Sequence, residues 1–177
     1  MIESPKHWMA GWKGAVLAFL LPLLAIAYFL GIFASATVQI SEAGPYRYVY
    51  TAMKGPYYRI DDSLQDLNRE LTLRHIPHGA AIGVFYDDPR QVPEKQRRAR
   101  AGYLLAADVK LPKNTPEAFV PRRRIIQVQV SAHPAIAPIK LYRALEKHLQ
   151  GQGMAMRWPT LERYGPARVV TLEMALP

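Results

Sequence analysis

YRYVYTAMKGPYYRIDDSLQDLNRELTLRHIPHGAAIGVFY, residues 46–86, is the stretch that decides the fold. Its opening, Tyr46–Met53, is aromatic and β-branched, the composition of a strand. Gly55-Pro56 breaks that run with a turn. Ile60, Leu64, Leu67 and Leu71 then recur at spacings of 4, 3 and 4, which predicts an amphipathic helix with Asp61, Asp62 or Ser63 near its cap. His78-Gly79 ends the helix, Ala80–Tyr86 reads as a buried strand, and Ala101–Val109 as another. The order is strand, helix, strand, strand.

The same order returns further on. Ile125–Ala132 alternates as a strand, Leu141, Leu145 and Leu149 with Tyr142 beside them supply a helical stripe, and Gly151 and Gly153 close it. Met156–Tyr164 and Arg168–Met174 read as two more strands, separated by Gly165-Pro166. Val49 and Val128 lie 79 positions apart, and Leu67 and Leu145, like Leu71 and Leu149, lie 78 apart. So steady an offset predicts a duplicated unit over 44–177, with repeats at 44–110 and 122–177. The fold class is α+β: an antiparallel-rich sheet with both helices on one face. The other face then needs a lining. Tyr46, Tyr48 and Tyr50 share one side of their strand, and Trp158, Thr160, Glu162 and Tyr164 share one side of theirs. Rings around a single carboxylate predict a ligand groove on the uncovered face.

Upstream, Gly14–Phe33 (GAVLAFLLPLLAIAYFLGIF) runs twenty residues without a charge. At about 1.5 Å per residue this spans roughly 30 Å, a bilayer core. Trp8, Trp12 and Tyr28 flank it as interfacial aromatics do, and one proline, Pro22, is tolerated. The segment therefore reads as a single membrane anchor. Ala34-Ser35-Ala36 also fits a signal-peptidase site, although the apolar run is longer than a signal core. Residues 1–13 carry Lys6, Lys13 and the free amine, against Arg47 alone soon after the span. This bias predicts a cytoplasmic N-terminus and an exported C-terminal domain, periplasmic in a bacterium. Residues 34–43 are small and polar and read as a tether.

The 177-residue chain carries 23 Lys and Arg against 14 Asp and Glu, a formal charge of +9, which favours anionic surfaces. It has no cysteine, which excludes disulfides, thiolate catalysis and Cys-ligated metals. The basic cluster Lys95, Arg97, Arg98 and Arg100 is a candidate for contact with lipid headgroups, and Arg122-Arg123-Arg124 is a second. Asp87-Asp88-Pro89 reads as a strand-ending turn rather than a cation site. His75 and His78 have no third ligand nearby, so no metal or cofactor is expected. There is no nucleophile-elbow, phosphate-loop or dinucleotide fingerprint.

With Gly55-Pro56-Tyr57, Phe85-Tyr86-Asp87-Asp88-Pro89, Ala101-Gly102 and Glu162-Arg163-Tyr164 placed in this order on a duplicated pattern, residues 44–177 resemble the GyrI-like, or AraC-type effector-binding, domain family. The resemblance implies two βαββ repeats about a pseudo-twofold axis, with an aromatic cleft whose carboxylate attracts lipophilic cations. The matching acid is Glu162, with Trp158 and Tyr164 beside it and Tyr48, Tyr50, Tyr57 and Tyr86 as wall. A hydrophobic or cationic small molecule is the implied partner, alongside the bilayer itself. Some relatives carry a helix-turn-helix domain and this sequence shows none, so nucleic acid is not an expected partner. Two alternatives stand beside binding. Relatives hydrolyse strained electrophilic toxins in the same cleft, where Glu162 would be the general base; or the chain is an accessory subunit docked to a protein partner in the membrane.

Overall fold

The computed structural model describes residues 6–177, with side-chain surroundings given from Trp12 onward. Of the N-terminal stretch expected over 1–13, residues 1–5 and the side chains of Lys6 and Trp8 lie outside this description. A long helix, α1 (Lys6–Phe29), precedes β1 (Thr37–Ala43) and β2 (Tyr46–Lys54). Then come α2 (Ile60–Leu73), β3 (Ala81–Phe85), β4 (Arg98–Leu104) and β5 (Glu117–Val120). The chain finishes with β6 (Arg123–Ser131), α3 (Ala137–Gly151), β7 (Thr160–Tyr164) and β8 (Val169–Ala175).

All eight strands form one antiparallel sheet in the order β1-β6-β8-β7-β3-β4-β2-β5. The repeats stand out within it. β2-α2-β3-β4 and β6-α3-β7-β8 meet where β3 pairs with β7, and Gly83 faces Glu162 across that central seam. Leu64, Leu67 and Leu71 of α2, and Leu141, Leu145 and Leu149 of α3, are all buried. The α3 leucines pack on Ile126, Val128 and Val130 of β6 and Val170, Leu172 and Met174 of β8. On the other half α2 lies on Val49, Ala99 and Ala101. At about 25 cal/mol per Å² of apolar surface removed from water, these two stripes hold the helices to the sheet.

Two strands lie outside the duplicated pattern. The expected tether supplies β1, which pairs with β6 along its whole length from Thr37↔Gln129 to Ala43↔Arg123. The inter-repeat segment supplies β5 on the opposite edge, against β2. Although β1 and β2 are far apart in strand order, only Gly44 and Pro45 join them. The sheet must therefore curl until its edges approach. Tyr46 of β2 reaches Glu173 of β8 through a 2.8 Å hydrogen bond, across three intervening strands. The face without helices thus closes on itself. Tyr48, Ile82, Val84 and Leu161 form a small core there, none more than 5% exposed.

The apolar part of α1, Trp12–Phe29, is long and apolar enough to cross a bilayer, and none of it is buried by the rest of the chain. It ends in a turn at Gly31, whose φ of +76° suits glycine. There a Cβ would come within 2.7 Å of Ala132 Cα, so the helix end sits directly on the domain. The His133 N–H donates to the Leu30 carbonyl at 3.0 Å, and Lys140 Nζ donates to the carbonyls of Ile32 and Ala34 at 2.6 and 2.8 Å. Helix and domain are joined by a braced corner, not by a loose linker.

Candidate functional site

β7 is short because Pro159 precedes it and Gly165-Pro166 follows, and proline cannot donate to a ladder. Period-two alternation turns Thr160, Glu162 and Tyr164 toward the helices. Gly83, Glu162's partner at the seam, has no side chain; a Cβ there would meet Ile60 Cδ1 at 2.8 Å and the Phe85 ring at 3.0 Å. The seam therefore has space for one carboxylate and no second side chain.

Glu162 is 2% exposed. Tyr164 Oη donates to its Oε2 at 2.8 Å. From α3, Tyr142 Oη shares a 2.7 Å hydrogen bond with Thr160 Oγ1, and its ring stacks on Trp158, centroids 6.0 Å apart. Tyr57 lies edge-on to Phe85 at 4.9 Å on the α2 side of the same face. Burial pushes the Glu162 carboxyl up to about 7, only partly offset by the hydrogen bonds from Tyr164 and Tyr142. Burial first, then the adjacent carboxylate, holds the Tyr142 and Tyr164 hydroxyls well above the usual phenol range. Among the described residues no Lys, Arg or His pairs with Glu162. The Trp158 Nε1 is also buried; among the described residues it completes no hydrogen bond of good geometry, although it lies close enough to the Asp88 carboxylate to help, against burial and alongside Arg90, hold that group's pKa down.

The expected groove is thus redrawn. Glu162, Tyr164, Trp158 and Tyr57 do come together, but on the helix-covered face. Tyr48, Tyr50 and Tyr86 occupy the curled face, separated from Glu162 by the sheet itself. Their rings already hold a cation, for the Arg100 guanidinium lies 4.3 Å from the Tyr50 centroid and 5.5 Å from that of Tyr86. Sequence reasoning put them with Glu162 because it took the uncovered face to be open, whereas curling buries it. It also gave Tyr142 no role in the site. A phenol next to a leucine stripe, one position from Leu141, was the available signal.

The basic cluster proposed for lipid contact lies along the strands from the end of α1, not beside it. β6 carries Ser131 beside the α1 turn, and the register leads from Ile126, five residues further back along that strand, through Met174, Thr160 and Phe85 to Ala99. Arg100 therefore sits level with Gln127, and Arg98 two residues further from Ser131, roughly 13 and 20 Å along the strands from that turn at 3.3 Å per residue. They and Arg97 are also engaged. Arg98 pairs with Asp87 at 2.7 Å, and Arg97 donates to the Val92 and Pro89 carbonyls at 2.9 and 2.6 Å. Asp87 further accepts the Arg98 N–H at 2.7 Å, and Asp88 accepts that of Arg90 at 2.9 Å, so both act as turn and strand-end acceptors. Arg90 also reaches Glu146 of α3 at 2.8 Å, tying the loop after β3 to the second helix. His78 is held by Asn68 and the Ile76 carbonyl. Among the described residues no three His, Asp or Glu side chains converge.

No family model matches the chain, and no curated protein resembles it in sequence. Solved structures do resemble it. The C-terminal domain of EcmrR superposes with a TM-score of 0.61 at 12% identity, over 80% of this chain and 98% of that one. SAV2435, solved bound to tetraphenylphosphonium, gives 0.55 at 7% identity, over 80% and 94%. An integron cassette protein from the mobile metagenome of Vibrio cholerae gives 0.53 at 10% identity, over 81% and 99%. The architecture is the GyrI-like, effector-binding fold.

Proposed function

We propose that this chain is a membrane-anchored binder of a hydrophobic, cationic small molecule, held in the cleft between α2 and α3 with Glu162 as counter-charge. One observation carries the reading: a carboxyl buried at the seam of the sheet, ringed by Tyr142, Tyr164 and Trp158, with no cationic side chain paired to it. A delocalised cation supplies the missing charge at a low desolvation cost, and the rings add about 0.5–2 kcal/mol of cation–π attraction. The ligand of SAV2435, tetraphenylphosphonium, is of this class. The cleft is closed over Glu162 here, so an occupant enters by parting Tyr142 and Trp158 from Tyr57 and Ile60. In this reading α1 spans the bilayer, and the domain lies on the exported side; a C-terminal alkaline phosphatase fusion is then active, and an inactive one reverses the orientation.

The test is titration of tetraphenylphosphonium into the full chain in a neutral detergent. Glu162→Gln is expected to weaken binding at pH 8 at least tenfold, or about 1.4 kcal/mol. Unchanged affinity removes Glu162 from the site. In the wild type, affinity is constant above pH 7 and falls about tenfold per unit below it, because protonation cancels the counter-charge. The same carboxyl, poised near neutrality, has the basicity of a general base toward water, which keeps hydrolysis of a strained electrophile as a second reading. Consumption of such a substrate by the wild type, lost in Glu162→Gln, would establish it.

A further inference from the structure

Where α1 meets the domain, the turn before β8 takes a costly path. Ala167 and Arg168 are consecutive non-glycine residues with φ of +52° and +59°. Left-handed backbone costs about 1–2 kcal/mol per such residue and persists where the surroundings enforce it. This conformation brings Arg168 onto the end of α1. Its Nη1 donates to the Phe29 carbonyl, and its guanidinium lies 3.6 Å from the centre of the Phe29 ring. A guanidinium has five N–H donors, and no carboxylate pairs with this one among the described residues.

Beside it opens a cavity of about 560 Å³, walled by Tyr28, Phe29, Phe33, Ala34, Ser131 and Arg168. The three rings are exposed, 79%, 66% and 64% respectively. No acidic side chain lines it. Lys140 brings a second positive charge to the same corner, where it donates to the carbonyls of Ile32 and Ala34 and, among the described residues, pairs with no carboxylate. Exposed aromatic rings at the end of an apolar helix, with a cation held among them, match the level at which lipid headgroups lie.

We infer that this junction binds the headgroup phosphate of an anionic phospholipid, with Arg168 as its donor and the Tyr28, Phe29 and Phe33 rings against the upper acyl chain. Arginine suits phosphate because parallel N–H groups meet two oxygens. An anionic lipid is selected over a zwitterionic one because, among the described residues, neither Arg168 nor Lys140 is paired with an acid. The inference rests on α1 spanning the bilayer. It assigns lipid contact to the braced corner and not to the arginines of β4.

The experiment uses the full chain extracted from vesicles of phosphatidylglycerol and phosphatidylcholine at one to four, with co-purifying lipid counted by native mass spectrometry. The wild type retains phosphatidylglycerol above its bulk share. Arg168→Gln lowers that enrichment about tenfold, to the bulk ratio, while Lys54→Gln with Lys95→Gln, at the other end of the sheet, leaves it intact. Enrichment unchanged in Arg168→Gln, or lost equally in the Lys54/Lys95 pair, overturns the assignment. Should Arg168→Gln fail to fold, Ser131→Trp fills the cavity with Arg168 in place. It is expected to lose the lipid too, and full retention there is equally fatal. Carbonate extraction separates the two readings. A chain that carbonate releases refutes the membrane span, whereas one that resists carbonate and keeps its lipid without Arg168 refutes the headgroup site alone.

Discussion

Two glutamates on neighbouring strands, both lost to solvent, have opposite surroundings. Glu173 of β8 is opposite Leu161, and Glu162 of β7 is opposite Leu172, so a single step along the pleat sends them to different faces. Glu173 lies inside the curl and accepts from Arg163 Nε at 2.7 Å, Tyr46 Oη at 2.8 Å and Arg123 Nη2 at 3.2 Å. Its charge is matched by its own chain, and the bonds it accepts fasten β2 and β6 to the sheet's centre. Glu162 has phenols and no cation. A buried acid with its arginines is architecture; a buried acid without any is available to an outside charge.

Identical substitutions should therefore act with opposite sign. Glu173→Gln leaves two arginines inside the curl without their anion, and a loss of 3–5 kcal/mol is expected. For a chain this long that lowers the melting temperature by on the order of 10 °C, read by a thermal scan of the full chain. A shift within a degree or two would make the contrast empty. Glu162→Gln should stabilise at pH 8. Its carboxyl titrates near 7 in the fold against an ordinary 4.5, so the folded state holds a proton that the unfolded chain has lost between those values. Stability falls as pH rises through that window and stays low above it, by up to about 3 kcal/mol at 1.36 kcal/mol per unit. The glutamine variant escapes the loss, and its advantage should disappear below pH 4.5. Destabilisation at pH 8 would show that Glu162 has a partner. Tyr164→Phe is the mildest probe: about 1 kcal/mol of hydrogen bonding is removed, the carboxyl is pushed further above 7, and the pH midpoint of cation binding moves up with it. A midpoint that stays in place would detach Tyr164 from the acid.

The repeat was legible in the sequence because burial periodicity is a local signal. Leu67 and Leu145, equivalent by their 78-residue offset, both lie buried under their helices. The curl was not legible, because closure is a long-range event written only in two short connections, Gly44-Pro45 and Pro121-Arg122. Everything that depended on it was misplaced together: the wall of Tyr48, Tyr50 and Tyr86, and the strand taken for a tether in 37–43. Within the site, Glu162, Tyr164 and Trp158 follow from alternation along one strand. Tyr142 comes from the helix of the same repeat and reaches the acid only once α3 packs back on β7, whereas Tyr57 comes from the other repeat and joins it only where the two halves meet at β3 and β7.

The helix α3 has two attachments two residues apart. Through Tyr142 it roofs the acid, and through Lys140 it grips the carbonyls where α1 leaves the domain. A rigid rod cannot lift at one of these points and rest at the other. In the reading proposed above, a guest large enough to raise that roof also tugs the stem, which carries occupancy of the interior to the end of α1.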